Sequence, residues 1–274
     1  MLRTRVVTAC ILLAGFLSAL FWLPDAAWAA LALILATGAA WEWAGLVGRS
    51  GHRRAAYAAA VGAATAAVWL ADRLLAWSGA LLLFGASLLF WCVAAPLWLA
   101  RKWPLAAGGG PWIGFLMIVP TALALIMLRH VSPAYLLTAM AIVWVADIAA
   151  YFSGRTFGTH KLAPLVSPGK TWEGAIGGAA AVLAYGFAVL EATGHPLRGE
   201  AAGSFALILL ALTILSVVGD LFESLAKRQA GLKDSGSLLP GHGGLLDRID
   251  SLTATLPAIA LISVSPYLRA TFGL

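Results

Sequence analysis

The sequence predicts an all-α polytopic membrane protein of about nine transmembrane helices, with the N-terminus in the cytoplasm and the C-terminus outside. Three observations carry that reading. First, 61% of the 274 residues are hydrophobic and only 11% are charged, whereas a soluble globular domain carries roughly a quarter charged residues. So few charges could not cover the apolar surface in water, and so apolar a chain would not stay disordered. Second, the apolar stretches are continuous and rich in Ala, Leu and Val, as at 29–40 and 201–218. A transmembrane β-barrel would alternate apolar and polar residues instead. Third, the basic residues fall unevenly between alternate loops.

A helix needs about 20 apolar residues to cross the hydrocarbon core. On that scale the spans fall near 5–23, 26–47, 55–71, 77–99, 112–128, 133–152, 173–191, 203–220 and 251–267. The first begins with Arg3 and Arg5, as a signal peptide would. It then runs on into Phe21, Trp22 and Pro24 without a small-residue cleavage site, so it reads as a retained helix. About five spans occupy 1–132. The remaining spans, in 133–274, enclose two longer polar segments, 153–172 and 220–250. Sorting the 18 Lys and Arg residues by loop parity puts 14 on the side of the N-terminus and of both polar segments, and 4 on the other. By the positive-inside rule that side is cytoplasmic, so the expected setting is the cell's inner membrane with a cytoplasmic site. The net charge of +6 belongs to these loops, and no nucleic-acid partner is inferred from it. Cys10 and Cys92 lie in apolar runs and read as small hydrophobes.

Segment 220–250 concentrates the charge: Asp220, Glu223, Lys227, Arg228, Lys233, Asp234, Asp247, Arg248 and Asp250. Asp247 and Asp250 are three residues apart, which brings both to one face at the start of the last helix, and Asp220 ends the preceding span. Hard carboxylate oxygens without clustered His or Cys favour Mg²⁺, with Asp220, Asp247 and Asp250 as the ligand set. Lys227, Arg228, Lys233 and Arg248 supply positive charge beside them, as a polyanion requires. The run Gly241, His242, Gly243 and Gly244 leads into a helix N-terminus and lets backbone N–H groups approach phosphate oxygens. Carboxylates for metal and bases for phosphate describe a metal–phosphate site. The alternative for the glycines is a plain turn.

Segment 153–172 ends in Ser167-Pro-Gly-Lys-Thr-Trp-Glu-Gly174. Its Gly-Lys-Thr is not a P-loop, because the position that must be the first glycine is Pro164. What remains is Lys170 with the hydroxyls of Ser167 and Thr171 ahead of a helix N-terminus, suited to phosphate, and Glu173 in the first turn. Asp147 is embedded in an apolar span near its cytoplasmic end, where a carboxylate is functional or paired. It is assigned to the site. Glu42, similarly embedded between Trp41 and Trp43, is assigned a structural or interfacial role.

The stretch from Ser224 through Lys227, Arg228, Lys233, Asp234, Gly236, Pro240 and Gly241–Gly244 to Asp247, Arg248 and Asp250 resembles the signature of the phosphatidate cytidylyltransferases, or CDP-diacylglycerol synthases. The element from Ser167 to Gly174 and the pattern Asp147, Tyr151, Gly154, Phe157, Gly158 resemble that family too. Ala226 departs from it at a packing position. The likeness by motif covers about 144–251.

The resemblance implies a Mg²⁺-dependent enzyme that moves cytidylyl from CTP to phosphatidic acid, working within the bilayer and as a dimer, with a second cation conceivable beside Mg²⁺. It adds Ser224 and Asp234 to the substrate-binding residues. The lipid phosphate would attack the α-phosphorus of CTP while pyrophosphate leaves, so no protein nucleophile is required. Two rivals remain at this point: a membrane nucleotidyltransferase for another lipid phosphate, and an anion transporter. The one-sided clustering of the polar residues and the lack of an inverted repeat count against the transporter.

Overall fold

A computed structural model describes residues 2–75, 78–106, 109–238 and 243–264. In chain order, α1 (Leu2–Trp22), α2 (Asp25–Leu46), α3 (Gly51–Leu75), α4 (Ser78–Leu89), α5 (Ala95–Arg101), α6 (Gly110–Val131) and α7 (Pro133–Phe157) precede a hairpin of β1 (Lys161–Ala163) and β2 (Ser167–Thr171). After it come α8 (Trp172–Ala192), α9 (Gly199–Gln229) and α10 (Leu246–Val264). A π-helical turn, Phe90–Ala94, joins α4 to α5 without a break.

Among the described residues seven helices are long and apolar enough to cross a membrane: α2, α3, the α4–α5 rod, α6, α7, α8 and α9. This is an all-α polytopic architecture. The two other expected spans coincide with α1, whose apolar stretch Thr8–Trp22 is shorter, and with α10, which opens on Asp247, Arg248 and Asp250.

Two segments read as loops carry regular structure. Residues 153–157 complete α7, and β1 pairs antiparallel with β2 through Lys161 with Thr171 and Ala163 with Ser167. The helix that carries Asp220 does not stop there. Helix α9 continues to Gln229, because Leu221, Phe222, Leu225 and Ala226 keep a buried apolar stripe beyond it.

Helix α6 is the hub, with 72% of its apolar window buried. Aromatic side chains of α2 and α3 hang from its backbone carbonyls. Trp43 Nε1 donates to Gly110 O at 2.7 Å, Tyr57 Oη to Pro111 O at 2.7 Å, and Trp28 Nε1 to Leu125 O at 3.1 Å. Inside a bilayer such polar atoms have no water to turn to, so each large ring fills space and satisfies its own donor. At the far end of α6, Arg129 is buried and binds the carbonyls of Leu20 and Leu23 and the carboxylate of Asp25, which clasps the turn between α1 and α2.

Packing of α7 on α8 uses small residues. The buried positions of α8, Gly174, Gly178, Val182 and Gly186, recur every four residues and so form one stripe. A Cβ on Gly174 would lie 2.8 Å from Ala150 O, and one on Gly178 would lie 2.9 Å from Ala146 O. Such close backbone approach is how helices associate where lipid offers no hydrophobic drive. Ser132 caps α7 and Thr171 caps α8, each side chain accepting a backbone N–H. At its C-terminal end α9 is tied to the α5–α6 connection, where Gln229 Oε1 accepts from Leu105 N and Gln229 Nε2 donates to Trp103 O, both at 2.9 Å.

Replacing Gly178 by Leu is expected to force α8 off α7 and to cost about 1–3 kcal/mol. Thermal unfolding of the purified protein in detergent reads this as a lowered midpoint, and an unchanged midpoint contradicts the close packing.

Candidate active site

The C-terminal end of α7, the middle of α9, the hairpin and the N-terminal end of α8 surround a cavity of about 520 Å³. Asp147, Tyr151 and Arg155 contribute from α7, Lys170 from β2, and Thr213, Ser216 and Asp220 from α9. Asp147, Tyr151 and Arg155 are four residues apart in turn and therefore share one face of α7.

The charged groups pair across this space. Lys170 Nζ lies 2.6 Å from Asp220 Oδ2, so the hairpin is tied directly to α9. Ser224 Oγ donates to Asp220 Oδ1 at 3.2 Å from one turn further along the same helix. The carboxylates of Asp147, Asp220 and Asp250 lie within electrostatic reach of one another. Asp250 reaches that position because α10 crosses α9 at Gly219, where a Cβ would be 2.8 Å from Asp250 O.

Asp247 belongs to a second knot. Its Oδ1 accepts from Lys227 Nζ at 2.6 Å, while Oδ2 accepts the backbone N–H groups of Ser235 at 2.9 Å and Gly244 at 2.8 Å. Burial pushes the Asp247 carboxyl up, but the Lys227 ammonium and those two amides outweigh it and hold the group below the usual carboxylate range. Lys227 also stands 2.6 Å from Glu223 Oε2. That contact is an ion pair without hydrogen-bond alignment: among the described residues neither oxygen of the fully buried Glu223 accepts a hydrogen bond.

Beneath Asp247 lies Glu42, only 1% exposed. Its carboxylate accepts from Leu245 N at 3.0 Å, Leu246 N at 2.8 Å and Ser235 Oγ at 2.9 Å. A carboxylate from α2 therefore caps the N-terminus of α10, satisfying donors that the helix cannot satisfy itself. Gly236 and Gly244 press on this group, since a Cβ on either would fall within 2.5 Å of a Glu42 oxygen. Gly243 has φ +79, a conformation that favours glycine.

The sequence-derived residues thus separate. Asp147, Ser167, Lys170, Thr171 and Asp220 line the cavity, although the Thr171 hydroxyl is engaged by Gly174 N. Asp250 adjoins Asp220, and Lys227 and Asp247 pair beside them. Arg228 turns to the carbonyls of Val166 and Leu232. Glu173 is bound by the Thr159 hydroxyl at 2.7 Å and lies 2.6 Å from His160 Nδ1, which fixes the chain entering the hairpin to α8. Lys233, Asp234 and Arg248 are exposed and do not line the cavity. Gly241 and His242 lie outside the described residues.

Sequence reasoning gave no site role to Arg155, Thr213, Ser216 or Glu223. Thr213, Ser216 and Asp220 form a polar stripe at helical spacing in the apolar middle of α9, and for Thr213 and Ser216 that stripe was the available signal.

Mg²⁺ characteristically takes one or two protein carboxylates and completes its shell with substrate oxygens and water. Asp220, with Asp147 and Asp250 beside it, fits that donor chemistry. Asp247, already holding three donors, fits it less well. Among the described residues no three His, Cys, Asp or Glu side chains converge as a protein-only metal cage.

A model of the cytidylyltransferase family matches residues 3–265. A phosphatidate cytidylyltransferase of Pseudomonas aeruginosa is 42% identical over 270 residues, covering 96% of this chain and 97% of that protein. One from Brucella suis is 38% identical over 268 residues, covering 95% and 92%. One from Haemophilus influenzae is 52% identical over 123 residues, or 44% and 43% of the two chains.

Replacing Glu42 by Ala leaves buried donors at the head of α10 without an acceptor and is expected to cost about 3 kcal/mol. Limited proteolysis reads the loosened chain at Ser235 and at Gly244–Leu245, and protection equal to wild type argues against the cap. For Asp247 the folded-state carboxyl is the stronger acid, so its contribution is complete above about pH 4 and is lost as pH falls through the folded value. Asp247→Asn should therefore melt earlier than wild type at pH 7, with the gap closing below about pH 4.

Proposed function

The chain belongs to the cytidylyltransferase family, and from that premise we propose that it transfers the cytidylyl group of CTP to phosphatidic acid, yielding CDP-diacylglycerol and pyrophosphate. It is a membrane nucleotidyltransferase of phospholipid biosynthesis. The observation that carries the reading is the near-full-length likeness to phosphatidate cytidylyltransferases. The cavity suits it, because it joins apolar spans to a polar hairpin, where a lipid headgroup and a water-soluble nucleotide can meet.

In the reaction an oxygen of the phosphatidate monoester attacks the α-phosphorus of CTP, a new P–O bond forms, and the bond to the β-phosphate oxygen breaks as pyrophosphate leaves. The lipid phosphate is largely dianionic near neutral pH and needs little activation. The protein therefore contributes position and charge. Lys170, now held by Asp220, stands where it can turn to a phosphate oxygen, with Ser167 beside it. Lys227, fixed between Glu223 and Asp247, keeps its charge near the reacting groups. Asp220, with Asp147 or Asp250 beside it, would hold Mg²⁺, and the ion would supply neutralisation of phosphate charge. Ser224 steadies Asp220, and the ordered start of α10 aims Asp250 and Asp247.

The finer setting is part of the same proposal. The division of basic residues supports nine spans with a cytoplasmic N-terminus, an outer C-terminus and a site on the cytoplasmic face of the inner membrane. Exposed Lys233, Asp234 and Arg248, with the glycine loop at 241–244, are assigned to the nucleotide's approach. A homodimer rests on the family resemblance alone.

Purified protein given phosphatidate, labelled CTP and Mg²⁺ is expected to form a CDP-lipid, and Asp220→Asn should lower kcat by about 100-fold. No CDP-lipid from the wild type, or a wild-type rate in Asp220→Asn, overturns the reading.

A further inference from the structure

Among the charged side chains lining the cavity, Lys170 is neutralised by Asp220 at 2.6 Å, and the remaining acid, Asp147, stands two turns before Arg155 on α7. The other cation is Arg155, in the last turn of α7. Its Nη1 donates to the Tyr151 hydroxyl at 3.1 Å, and among the described residues no carboxylate pairs with it. A basic residue serving only the membrane interface extends its charge outward into water. Arg155 is exposed but not free: the bond to Tyr151, one turn back, holds the guanidinium beside the cavity that both side chains line. The α7 wall thus runs from a carboxylate at Asp147, through an aromatic hydroxyl, to an uncompensated guanidinium over eight residues, or about 12 Å.

We infer that Arg155, propped by Tyr151, is a substrate-binding residue that takes a phosphate group at the mouth of the cavity. The inference rests on the proposed reaction, in which both substrates carry phosphate. A guanidinium presents several N–H donors in one plane and grips phosphate oxygens in pairs. Of the two cations that line the cavity, Lys170 is held by Asp220, which leaves Arg155 as the one without a carboxylate partner among the described residues. Tyr151 limits the rotamers of the long side chain, so less freedom is lost when the phosphate docks. The ligand chemistry is a phosphate mono- or polyanion, supplied either by the lipid headgroup or by CTP.

The test measures binding without turnover, so its outcome is separate from that of the activity assay. Affinities for CTP and for short-chain phosphatidate in detergent micelles are determined separately, with Mg²⁺, on full-length wild type, Arg155→Gln, Arg155→Lys and Tyr151→Phe. Arg155→Gln is expected to weaken one of the two ligands by about tenfold or more, and the ligand affected names the phosphate. Arg155→Lys should recover part of the loss, and Tyr151→Phe should weaken the same ligand by a smaller factor. Because Arg155 is exposed, the variants should melt with the wild type. Affinities of Arg155→Gln within twofold of wild type for both ligands overturn the inference, as does a wild type that binds neither.

Discussion

A single buried carboxylate, that of Glu42, organises the cytoplasmic end of this molecule. A charge taken out of water is tolerated only where donors replace the lost solvent, and here the donors come from Leu245, Leu246 and Ser235. Satisfying one group therefore orders another. The head of α10 is drawn onto α2, the chain at Ser235 folds over it, and the next residue of the helix, Asp247, is left facing Lys227. Gly236 and Gly244 can lie against the carboxylate only because they have no side chain. Much of the glycine-rich signature thus serves assembly of the site's floor.

A second constraint shapes the walls. Helices α7 and α8 meet along a stripe of small residues, so their backbones nearly touch, and α9 stands off far enough to leave a cavity between them. Polar residues that would be costly in lipid are gathered along that gap. Acids outnumber the lysines that pair with them there, an arrangement that calls for a further cation, while the mouth carries uncompensated positive charge suited to an anion.

The sequence revealed the membrane setting and the location of the chemistry well, because scarcity of charge is a property of composition, and because Asp147 and Asp220 are conspicuous among apolar neighbours while Lys170 stands in one of two longer polar segments. It revealed partnerships poorly. Nothing local in the sequence says that Glu42 meets residues some 200 positions away, or that Asp247 is held by Lys227 while Asp220 is held by Lys170. The continuation of α9 beyond Asp220 was hidden for a related reason. Hydropathy marks where lipid ends, whereas α9 goes on because Phe222 and Leu225 are covered by protein. Arg155 was hidden by its abundance class, one basic residue among many on the cytoplasmic side, until the fold turned it toward a cavity.

The bond between Gln229 and the backbone at Trp103 and Leu105 bears on heredity as well as on folding. The recognisable signature lies wholly in the second half of the chain, yet that half ends its longest helix on the first half and takes the cap of its last helix from Glu42. A gene fragment encoding only the signature-bearing half would inherit the reactive side chains without their supports. Recombination between relatives therefore has to carry both halves together, or exchange them between chains alike enough to rebuild these two joints.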